Sequence, residues 1–577
     1  NHPHDSICGC SIDEVHREMV ARFEAVLTGG TELARWMLAP PANGLRPTTD
    51  GQQPNGDPLS TRITVFNPLP ASRTAVIRRL LTIPAATEPS SLILLDDRGA
   101  PVPLVINAAH HVAPFWGRDF PAAVDGGETM EWFERYRMEL PERFDAQGNA
   151  DTSNGQWLAI EFEASLPGIG CRSYRLAARS ESLTPIPIPP PLATKDGTIE
   201  NDYVCATLHA DGRVDVLDKE TGFEYRDLNR LESTEDAGDE YDYAPGQEAH
   251  TVTTDGLNGT VRIVSDSGLR ATIETSYDWH IPHGLTDDRR RRTEQAAACP
   301  VRVRVSLERG SPLVELEVMI VNRATDHRVR SRFLTNLQAT RILSDGHFYV
   351  NERPIEIAQH ADWVQPPTGT YPQQEFSAIH DGEKGLAILG RGLHEIAPIT
   401  AGDDSVGLAV TLLRAVGWLS RDDLPTRNHK AAGPMIPTPD AQCIGVQTFQ
   451  LGILPFVGNL STSGVREWSA QFRVSPLSIQ HPANSQEPTA NSLLEVTGPA
   501  VAVSAIKKHE ERDTLIVRLF NAGNKPTRAT LRLGPPIVGA WQCSLLEDRL
   551  SDIPFEDSSV EVPLSPHEIG TVEIAFT

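Results

Sequence analysis

The amino-acid sequence predicts a mainly β protein, in which one N-terminal helix precedes multiple β-sandwich domains, including one large, many-stranded sandwich. Apolar residues recur at helical spacing most clearly near the start of the chain. Beyond about residue 61, apolar and polar residues alternate with the two-residue period of half-buried strands. At about 100–200 residues per domain, 577 residues allow roughly three to four domains.

The predicted helix follows a loop formed by residues 1–10. Ser11 and Glu14 form a capping-box pattern, in which the serine oxygen and the glutamate satisfy backbone N–H groups at the helix start. The helix should end by Pro40, because proline disfavours helical geometry in the residue before it. The apolar residues at helical spacing are Ile12, Val15, Met19, Phe23, Val26 and Leu27, and Leu33, Trp36 and Met37 extend them.

The strands are indicated by alternation and by turns. Val301, Val303 and Val305 alternate with polar residues, and a turn at 310–312 separates them from a second alternating run. Asp211 with Gly212 predicts another hairpin turn. One apolar and one polar face per strand are typical of sheets that stack in a sandwich.

Stretches rich in proline, glycine or polar residues predict linkers at 40–61, 181–192 and 481–492. They divide the chain into a loop and helix at 1–40, a β-domain at 62–180, a large β-sandwich at 193–480 and a C-terminal β-sandwich at 493–577.

Charge and composition argue against two classes of protein, those that bind nucleic acid and those that span a membrane with helices. A formal net charge of −25 argues against nucleic acid as a partner, since such a surface repels phosphates. No apolar run approaches the ~20 residues of a membrane-spanning helix.

Seven cysteines are too few for a disulfide framework, which favours a cytoplasmic location. Five of them, Cys171, Cys205, Cys299, Cys443 and Cys543, are predicted to be small buried residues. The chain begins with Asn1 and is interpreted as a processed, cleaved or truncated product.

Metal-capable side chains are concentrated in the first ten residues: His2, His4, Asp5, Cys8 and Cys10. Zinc binds imidazole, thiolate and carboxylate groups, usually as a tetrahedral set. His2, His4, Cys8 and Cys10 could close a structural site by themselves, although their spacing is tighter than usual for a zinc finger. Alternatively, one histidine is a ligand in a site completed elsewhere, or the histidines are incidental residues of a frayed terminus.

Several segments together resemble glycoside hydrolase family 38, the α-mannosidases, in the bacterial branch that includes mannosylglycerate hydrolases. The loop and helix start at 1–16 are similar to the family's His-Asp-Ser-Ile-x-Gly loop. The other segments, in the family's order, are 65–70 followed by Arg73, 166–174, Gly238–Pro245 with its Gly-Asp-x-Tyr-x-Tyr-x-Pro pattern, 326–330 and 412–424.

The resemblance implies roles for individual residues. His4 matches the histidine that is one of four zinc ligands in the family, and Asp5 matches an aspartate that hydrogen-bonds a sugar hydroxyl. Tyr241 resembles a tyrosine that reaches the substrate from the β-region, and Tyr243 takes this role if the match shifts by two residues. Packing at a strand edge is the alternative for either tyrosine. The helix would then be a remnant of the family's helical bundle.

The resemblance also implies parts that this sequence does not contain. In the family, the other three zinc ligands, the aspartate nucleophile and the acid/base carboxylate lie in an N-terminal catalytic α/β domain. The chain is therefore interpreted as the C-terminal portion of a zinc-dependent retaining α-mannosidase, inactive by itself. Its expected substrate is a mannose-containing oligosaccharide or small mannoside, and a homo-oligomer is possible.

Two alternatives remain: a non-catalytic carbohydrate-binding or accessory β-sandwich protein, and an assembly module. Without the catalytic domain, an exposed apolar patch is expected near residues 1–40. Two charged groups, the residues Arg421, Asp422, Asp423 and Arg427 and the run Arg289–Arg292, are predicted to be solvated clusters.

Overall fold

A computed structural model describes residues 9–38, 61–84, 87–111, 155–179, 185–194, 197–358, 363, 367–401, 405–482 and 492–577. Strands dominate these residues, and the sheets stack in several sandwiches, so the predicted fold class is confirmed. None of the helices in these ranges has the length and apolar content needed to cross a bilayer.

Helix α1 (Asp13–Leu38) is the predicted N-terminal helix and ends before Pro40. Its first turn is buried at Asp13, which is 5% exposed. The remainder presents a large apolar surface to solvent, as expected for this part of the chain. The exposed apolar side chains are Val20, Phe23, Val26, Leu27, Leu33 and Met37.

The first sandwich consists of two sheets. Its strands are β1 (Thr61–Asn67), β2 (Arg73–Pro84), β3 (Leu92–Leu95), β4 (Pro101–Val102), β5 (Val105–His111), β6 (Gly155–Leu166) and β7 (Gly170–Ala178), with a 3-10 turn at Pro89–Ser91. β2, β6 and β5 form one antiparallel sheet. Ile63, Leu81 and Phe162 lie in the core between the two sheets.

The large sandwich holds most of the strands. They are β8 (Thr198–Glu200), β9 (Val204–Leu208), β10 (Val214–Asp218), β11 (Glu224–Leu228), β12 (Arg230–Glu235), β13 (Val252–Thr253), β14 (Arg262–Asp266), β15 (Arg270–Pro282), β16 (Ala296–Glu308), β17 (Val314–Asn322), β18 (His327–Leu337), β19 (Arg341–Asp345), β20 (Val350–Pro354), β21 (Tyr371–Pro372), β22 (Phe376–His380), β23 (Lys384–Gly390), β24 (Glu395–Thr400), β25 (Val406–Ala415) and β26 (Gly445–Val457).

These strands form three sheets around one continuous core. A nine-stranded sheet has the order β14-β15-β16-β17-β26-β23-β22-β19-β20, a six-stranded sheet the order β13-β12-β18-β25-β24-β21, and a four-stranded sheet the order β11-β10-β9-β8. The two alternating runs near the turn at 310–312 pair as β16 and β17, with Val301 opposite Ile320. Apolar residues of all three sheets, including Val216, Val305 and Val410, share the core.

The connection after β26 carries helix α2 (Val465–Arg473), which packs Val465 and Phe472 on β23 and β26. Three further 3-10 turns lie at Pro425–Arg427, Pro439–Gln442 and Leu460–Thr462. Strand β27 (Leu477–Pro482) then pairs with β1, opposite β7. The large sandwich was predicted to extend to residue 480, but the chain has already returned to the first sandwich at Leu477.

The C-terminal sandwich has a four-stranded and a five-stranded sheet. Its strands are β28 (Leu494–Thr497), β29 (Val501–Lys508), β30 (Leu515–Asn521), β31 (Thr527–Leu533), β32 (Ile537–Cys543), β33 (Arg549–Asp552), β34 (Phe555–Glu556), β35 (Ser559–Leu564) and β36 (Ile569–Phe576). The core includes Leu519, Leu531 and Ile574. All described cysteines are free: Cys10, Cys171, Cys299 and Cys543 are buried, and Cys205 and Cys443 are half-buried.

Candidate functional site

The segment Gly238–Pro245, hereafter the Tyr241 segment, follows β12 and folds back on itself around Asp236. One carboxylate oxygen of Asp236 accepts the N–H groups of Gly238 at 3.0 Å and Ala244 at 3.3 Å. Gly238 is required here because a Cβ atom would lie 2.0 Å from the carbonyl oxygen of Asp242. The two ends of the segment are thereby held together.

A half-buried arginine from the same six-stranded sheet neutralises this aspartate. Arg414 of β25 donates to the second carboxylate oxygen of Asp236 at 2.8 Å and to the carbonyl of Asp239 at 2.9 Å. Burial disfavours the charged form of Arg414, but the charge of Asp236, the hydrogen bond to it and the charges of Glu395 and Asp239 together hold the arginine pKa above its ordinary value. Burial raises the pKa of Asp236 despite the pairing.

Asp239 fixes the middle of the segment and has no exposed surface. One oxygen accepts the N–H of Tyr241 at 3.0 Å and that of Asp242 at 2.9 Å. The other accepts the N–H of Arg421 at 2.8 Å. The guanidinium of Arg427 bridges the carboxylates of Asp239 and Asp242. This network sets the backbone on both sides of Tyr241.

The prediction that Arg421 and Arg427 belong to a solvated cluster is therefore wrong. The side chain of Arg427 is only 10% exposed, because it fills the space between the Tyr241 segment and the loop after β25. Asp422 and Asp423 are exposed, as predicted. A similar correction applies to Arg292, which is 5% exposed and donates to the carbonyl of Ser233 at 2.9 Å.

The N-terminal loop docks on the Tyr241 segment. The N–H of Ser11 donates to the Glu240 carboxylate at 2.8 Å, and the thiol of Cys10 lies 3.4 Å from the Glu240 carbonyl. Burial raises the pKa of Glu240, although the Ser11 hydrogen bond opposes this. The Ser11 N–H, which the predicted capping box pairs with the Glu14 side chain, donates to Glu240 instead.

The start of α1 is tied to the same region by a second contact. Asp13 accepts the N–H of Asp440 at 3.0 Å, and Arg17 pairs with the Asp440 carboxylate at 2.6 Å. The loop that follows β25 therefore contacts both the helix start and, through Arg427, the Tyr241 segment.

The two tyrosines of the segment have different surroundings. Tyr241 is half-buried, and its hydroxyl lies close to Gly433, where a Cβ atom would be 3.0 Å away. The guanidinium of Arg328 stacks over the ring of Tyr243, 3.6 Å from the ring centroid. Arg328 is 5% exposed, so this stacking is part of the packing between the segment and β18. The surroundings of Tyr243 thus favour a packing role.

His4 and Asp5 lie outside the described residues, so their predicted roles are not tested by the structure. The same is true of His2 and Cys8. Within the ranges that the structure describes, no three histidine, cysteine, aspartate or glutamate side chains converge as a metal site would require. Cys10 is buried, and its thiol lies beside the Glu240 carbonyl.

The main contribution that the sequence did not reveal is the support of Tyr241 by Asp239, Arg427 and Glu240. Asp239 and Glu240 are visible in the Gly-Asp-x-Tyr pattern, but their partners come from elements far along the chain. Pro425 and Pro439, at the two ends of the loop at 425–439, weakly indicate that the loop is ordered. They do not indicate which residues the loop contacts.

Two family models match the chain. The glycosyl hydrolases family 38 C-terminal domain matches residues 199–439, and the glycosyl hydrolases family 38 C-terminal beta sandwich domain matches residues 500–572. Together they span more than half of the chain.

Among curated proteins, the chain is similar to a protein of Halalkalibacterium halodurans provisionally named a mannosylglycerate hydrolase. The identity is 27% over 614 residues, covering 99% of this chain and 61% of the relative. Alpha-mannosidase 2C1 of Homo sapiens is 28% identical over 139 residues, which cover 23% of this chain and 13% of that protein.

Among solved structures, the fold is similar to that of an alpha-mannosidase from Enterococcus faecalis V583. The TM-score is 0.74 at 22% identity, covering 100% of this chain and 62% of that one. The chain thus spans about three fifths of the length of the two relatives that cover it throughout. The matched domains and their order establish that this chain belongs to glycosyl hydrolase family 38.

Proposed function

We propose that this chain is the β-rich portion of an α-mannosidase and supplies one side of a site for the mannose unit of an α-mannoside. The observation that carries the proposal is the contact of Cys10 and Ser11 with Glu240. It joins the chain that follows His4 and Asp5 to the residue beside Tyr241. Ser11 and Glu240, which are far apart in sequence, therefore lie side by side.

In this proposal Tyr241 and Asp5 bind hydroxyl groups of the sugar. Asp239 and Arg427 act as positioning residues, because they hold the backbone of Tyr241 without reaching the substrate. A side chain mounted on a buried ion-pair network loses little freedom on binding, so more of its hydrogen-bond energy is available to orient the sugar.

Hydrolysis with retention requires two carboxyl groups about 5–5.5 Å apart, one as nucleophile and one as acid and then base. We place these groups, and the remaining ligands of a zinc ion held by His4, in polypeptide outside this sequence. Zinc takes about four ligands in fixed geometry. When bound, it orients the hydroxyls of the sugar ring. A cytoplasmic location, suggested by the free cysteines, belongs to the same proposal.

The test compares Tyr241→Phe with Tyr243→Phe in the polypeptide extended by its upstream coding sequence. Hydrolysis of a nitrophenyl α-mannoside is the readout. Loss of one substrate hydrogen bond, worth about 1–1.5 kcal/mol, should lower kcat/KM roughly tenfold for Tyr241→Phe. Tyr243→Phe keeps the ring that Arg328 covers and should remain near the parent value. Equal effects of the two substitutions would contradict the assignment.

The chain by itself should neither hydrolyse the mannoside nor retain a stoichiometric metal ion, which elemental analysis after dialysis would measure. Hydrolysis by the chain alone would refute the placement of the catalytic carboxylates outside it. Binding without hydrolysis in the extended polypeptide would instead favour an accessory carbohydrate-binding protein.

A further inference from the structure

A pocket of about 480 Å³ lies at one end of the large sandwich, where the turns after β8 and β10 meet the end of β26 and helix α2. This volume is within the roughly 300–1,000 Å³ that small-ligand pockets occupy in proteins. The residues that line it include Asp202, Tyr203, Lys219, Glu220, Val457 and Trp468.

The pocket is remote from the Tyr241 segment. Strand β26 begins at Gly445, just after the turn whose Asp440 contacts α1, and it ends at Val457 in the pocket. At about 3.3 Å per residue, its 13 residues span roughly 40 Å. None of the described residues that line the pocket belongs to the Tyr241 segment, to α1 or to the loop after β25. A ligand bound here is therefore independent of the proposed mannosidase activity.

The turn that carries Tyr203 is fixed by buried polar contacts. Asn201, which is 4% exposed, accepts the N–H of Tyr203 at 2.9 Å. Its amide group donates to the carbonyls of Glu308 and Ser311, each at 2.7 Å. The N–H of Lys219 donates to the carbonyl of Tyr203 at 2.9 Å. Both backbone polar groups of Tyr203 are thus held, so a ligand that packs on this residue has little backbone left to order.

The aromatic lining is accessible. Tyr203 is 48% exposed, and its hydroxyl has no hydrogen-bond partner among the described residues. Val457 is 41% exposed. Trp468 of α2 is half-buried, and in the described part of the chain its indole N–H is open to solvent and has no partner. The pocket therefore combines an exposed ring with a free hydroxyl and a free N–H donor.

Two exposed carboxylates, those of Asp202 and Glu220, provide acceptors beside the ring. Neither has a hydrogen-bond or ion-pair partner among the residues that the structure describes. The backbone N–H of Glu220 donates to Asp218 at 3.1 Å, which holds its turn in place. The ammonium group of Lys219 is paired with Glu200 at 2.6 Å, so its charge is already compensated.

The combination of groups restricts the ligand class. Free carboxylates repel an anion and accept hydrogen bonds from hydroxyl groups. An organic cation would leave the indole N–H of Trp468 without an acceptor. A neutral sugar has hydroxyls that both donate and accept, and its C–H groups can pack on the negative face of an aromatic ring. The pocket thus matches a neutral sugar better than either ion.

We propose that this pocket binds one neutral pyranose unit of a glycan. The C–H face of the sugar packs on Tyr203, and its hydroxyls bond to Asp202, Glu220 and the indole N–H of Trp468. A larger glycan bound in this way is tethered to the chain at a point distant from the Tyr241 segment.

Saturation-transfer NMR on the full chain tests this with the methyl α-pyranosides of mannose, glucose and galactose. At least one should bind, and mannitol, which has hydroxyls but no ring, should bind at least tenfold more weakly. Tyr203→Ala should weaken pyranoside binding at least fivefold. Tyr349→Ala is the matched control, because this tyrosine of the same sandwich is 45% exposed and lies outside the pocket. Binding of none of the three pyranosides, or an unchanged affinity in Tyr203→Ala, would overturn the proposal.

A second pair of variants tests the acceptors and covers the case in which Tyr203→Ala fails to fold. Asp202→Asn replaces a charged acceptor by a neutral amide and should weaken binding several-fold. Asp552→Asn makes the same change at an exposed position of β33 and should leave the affinity unchanged. Equal effects of the two substitutions would refute the site. Putrescine binding more tightly than every pyranoside would assign the pocket to an organic cation and would also overturn the proposal.

Tyr241→Phe separates this pocket from the proposed mannosidase site. The variant should bind the pyranoside with the affinity of the parent chain. If Tyr241→Phe weakens binding and Tyr203→Ala does not, the sugar occupies the mannosidase site. That outcome would refute the pocket and support the proposed function.

Discussion

The loop that leads into helix α1 meets the Tyr241 segment at Glu240, yet the helix and the segment are held in different ways. The segment is fixed by Asp236 and Asp239, which have no exposed surface and are each paired with an arginine. The helix is attached through its first turn, while six of its large apolar side chains are between 58 and 71% exposed. The position of Tyr241 is therefore determined within the large sandwich, and the helix contributes little to it.

The largest effect should come from breaking the buried pair that holds the segment. Asp239→Asn leaves Arg427 and the N–H groups of Tyr241 and Arg421 without their charged partner, and such a loss costs about 3–5 kcal/mol. Urea unfolding measures it. Asp423→Asn is the matched control, because Asp423 is 55% exposed and pairs only at the surface. A difference below about 1 kcal/mol between the two would show that the pair does not fix the segment.

The second largest effect should be a loss of stability of the large sandwich in acid. His327 of β18, opposite Glu235, has no exposed surface, and burial together with the charge of Arg292 lowers its pKa from 6.5 to about 3. Between these values the unfolded chain binds a proton that the folded chain does not, so stability falls as pH falls below 6.5. The loss should reach about 2 kcal/mol at about pH 5.

The slope of unfolding free energy against pH checks this prediction. His327→Gln should flatten the slope between about pH 7 and 5, even if its stability at neutral pH is lower. His567→Gln, at an exposed position, should keep the slope of the parent chain. Parallel curves for the parent and His327→Gln would show that another group is responsible.

A smaller effect should appear where the two regions meet. Glu240→Ala removes the acceptor of the Ser11 N–H, a loss of about 1 kcal/mol. Hydrogen exchange should speed up at the start of α1, while the amides of Tyr241 and Asp242 stay protected by Asp239. Equal loss of protection on both sides would contradict the separation of the two regions.

The smallest effect is expected on the exposed face of the helix. Phe23→Ser should change the unfolding free energy by less than about 0.5 kcal/mol, because the side chain is 59% exposed. Leu231→Ala in β12 provides the contrast, at about 2–5 kcal/mol for a residue with no exposed surface. A large cost at Phe23 would mean that the helix packs more tightly than its exposure indicates.

The sequence predicted what depends on local pattern. Helical spacing located α1, and alternation located the β16–β17 hairpin, because both reflect which side of one element faces the core. It could not predict the pairing of Arg427 with Asp239, since only the closed fold brings the two together. The same reason explains why Glu240 replaces Glu14 at Ser11, and why Arg292 is buried despite three arginine neighbours.

Within the site, the outcome differs for each residue. Tyr241 was assigned by resemblance and stays a prediction, with a backbone support that the resemblance did not include. The surroundings of Tyr243 explain its residue type by packing on Arg328, which a single sequence cannot separate from substrate contact. His4 and Asp5 lie outside the described residues.

The return of β27 to the first sandwich has a consequence for biosynthesis. Thr61 pairs with Pro482, so β1 lacks one neighbour until nearly all of the intervening polypeptide has left the ribosome. At ~5–20 residues per second, that delay is about 20 to 80 s. During this time one edge of β1 is an open template for other nascent chains, and chaperone capacity should influence the yield of folded protein.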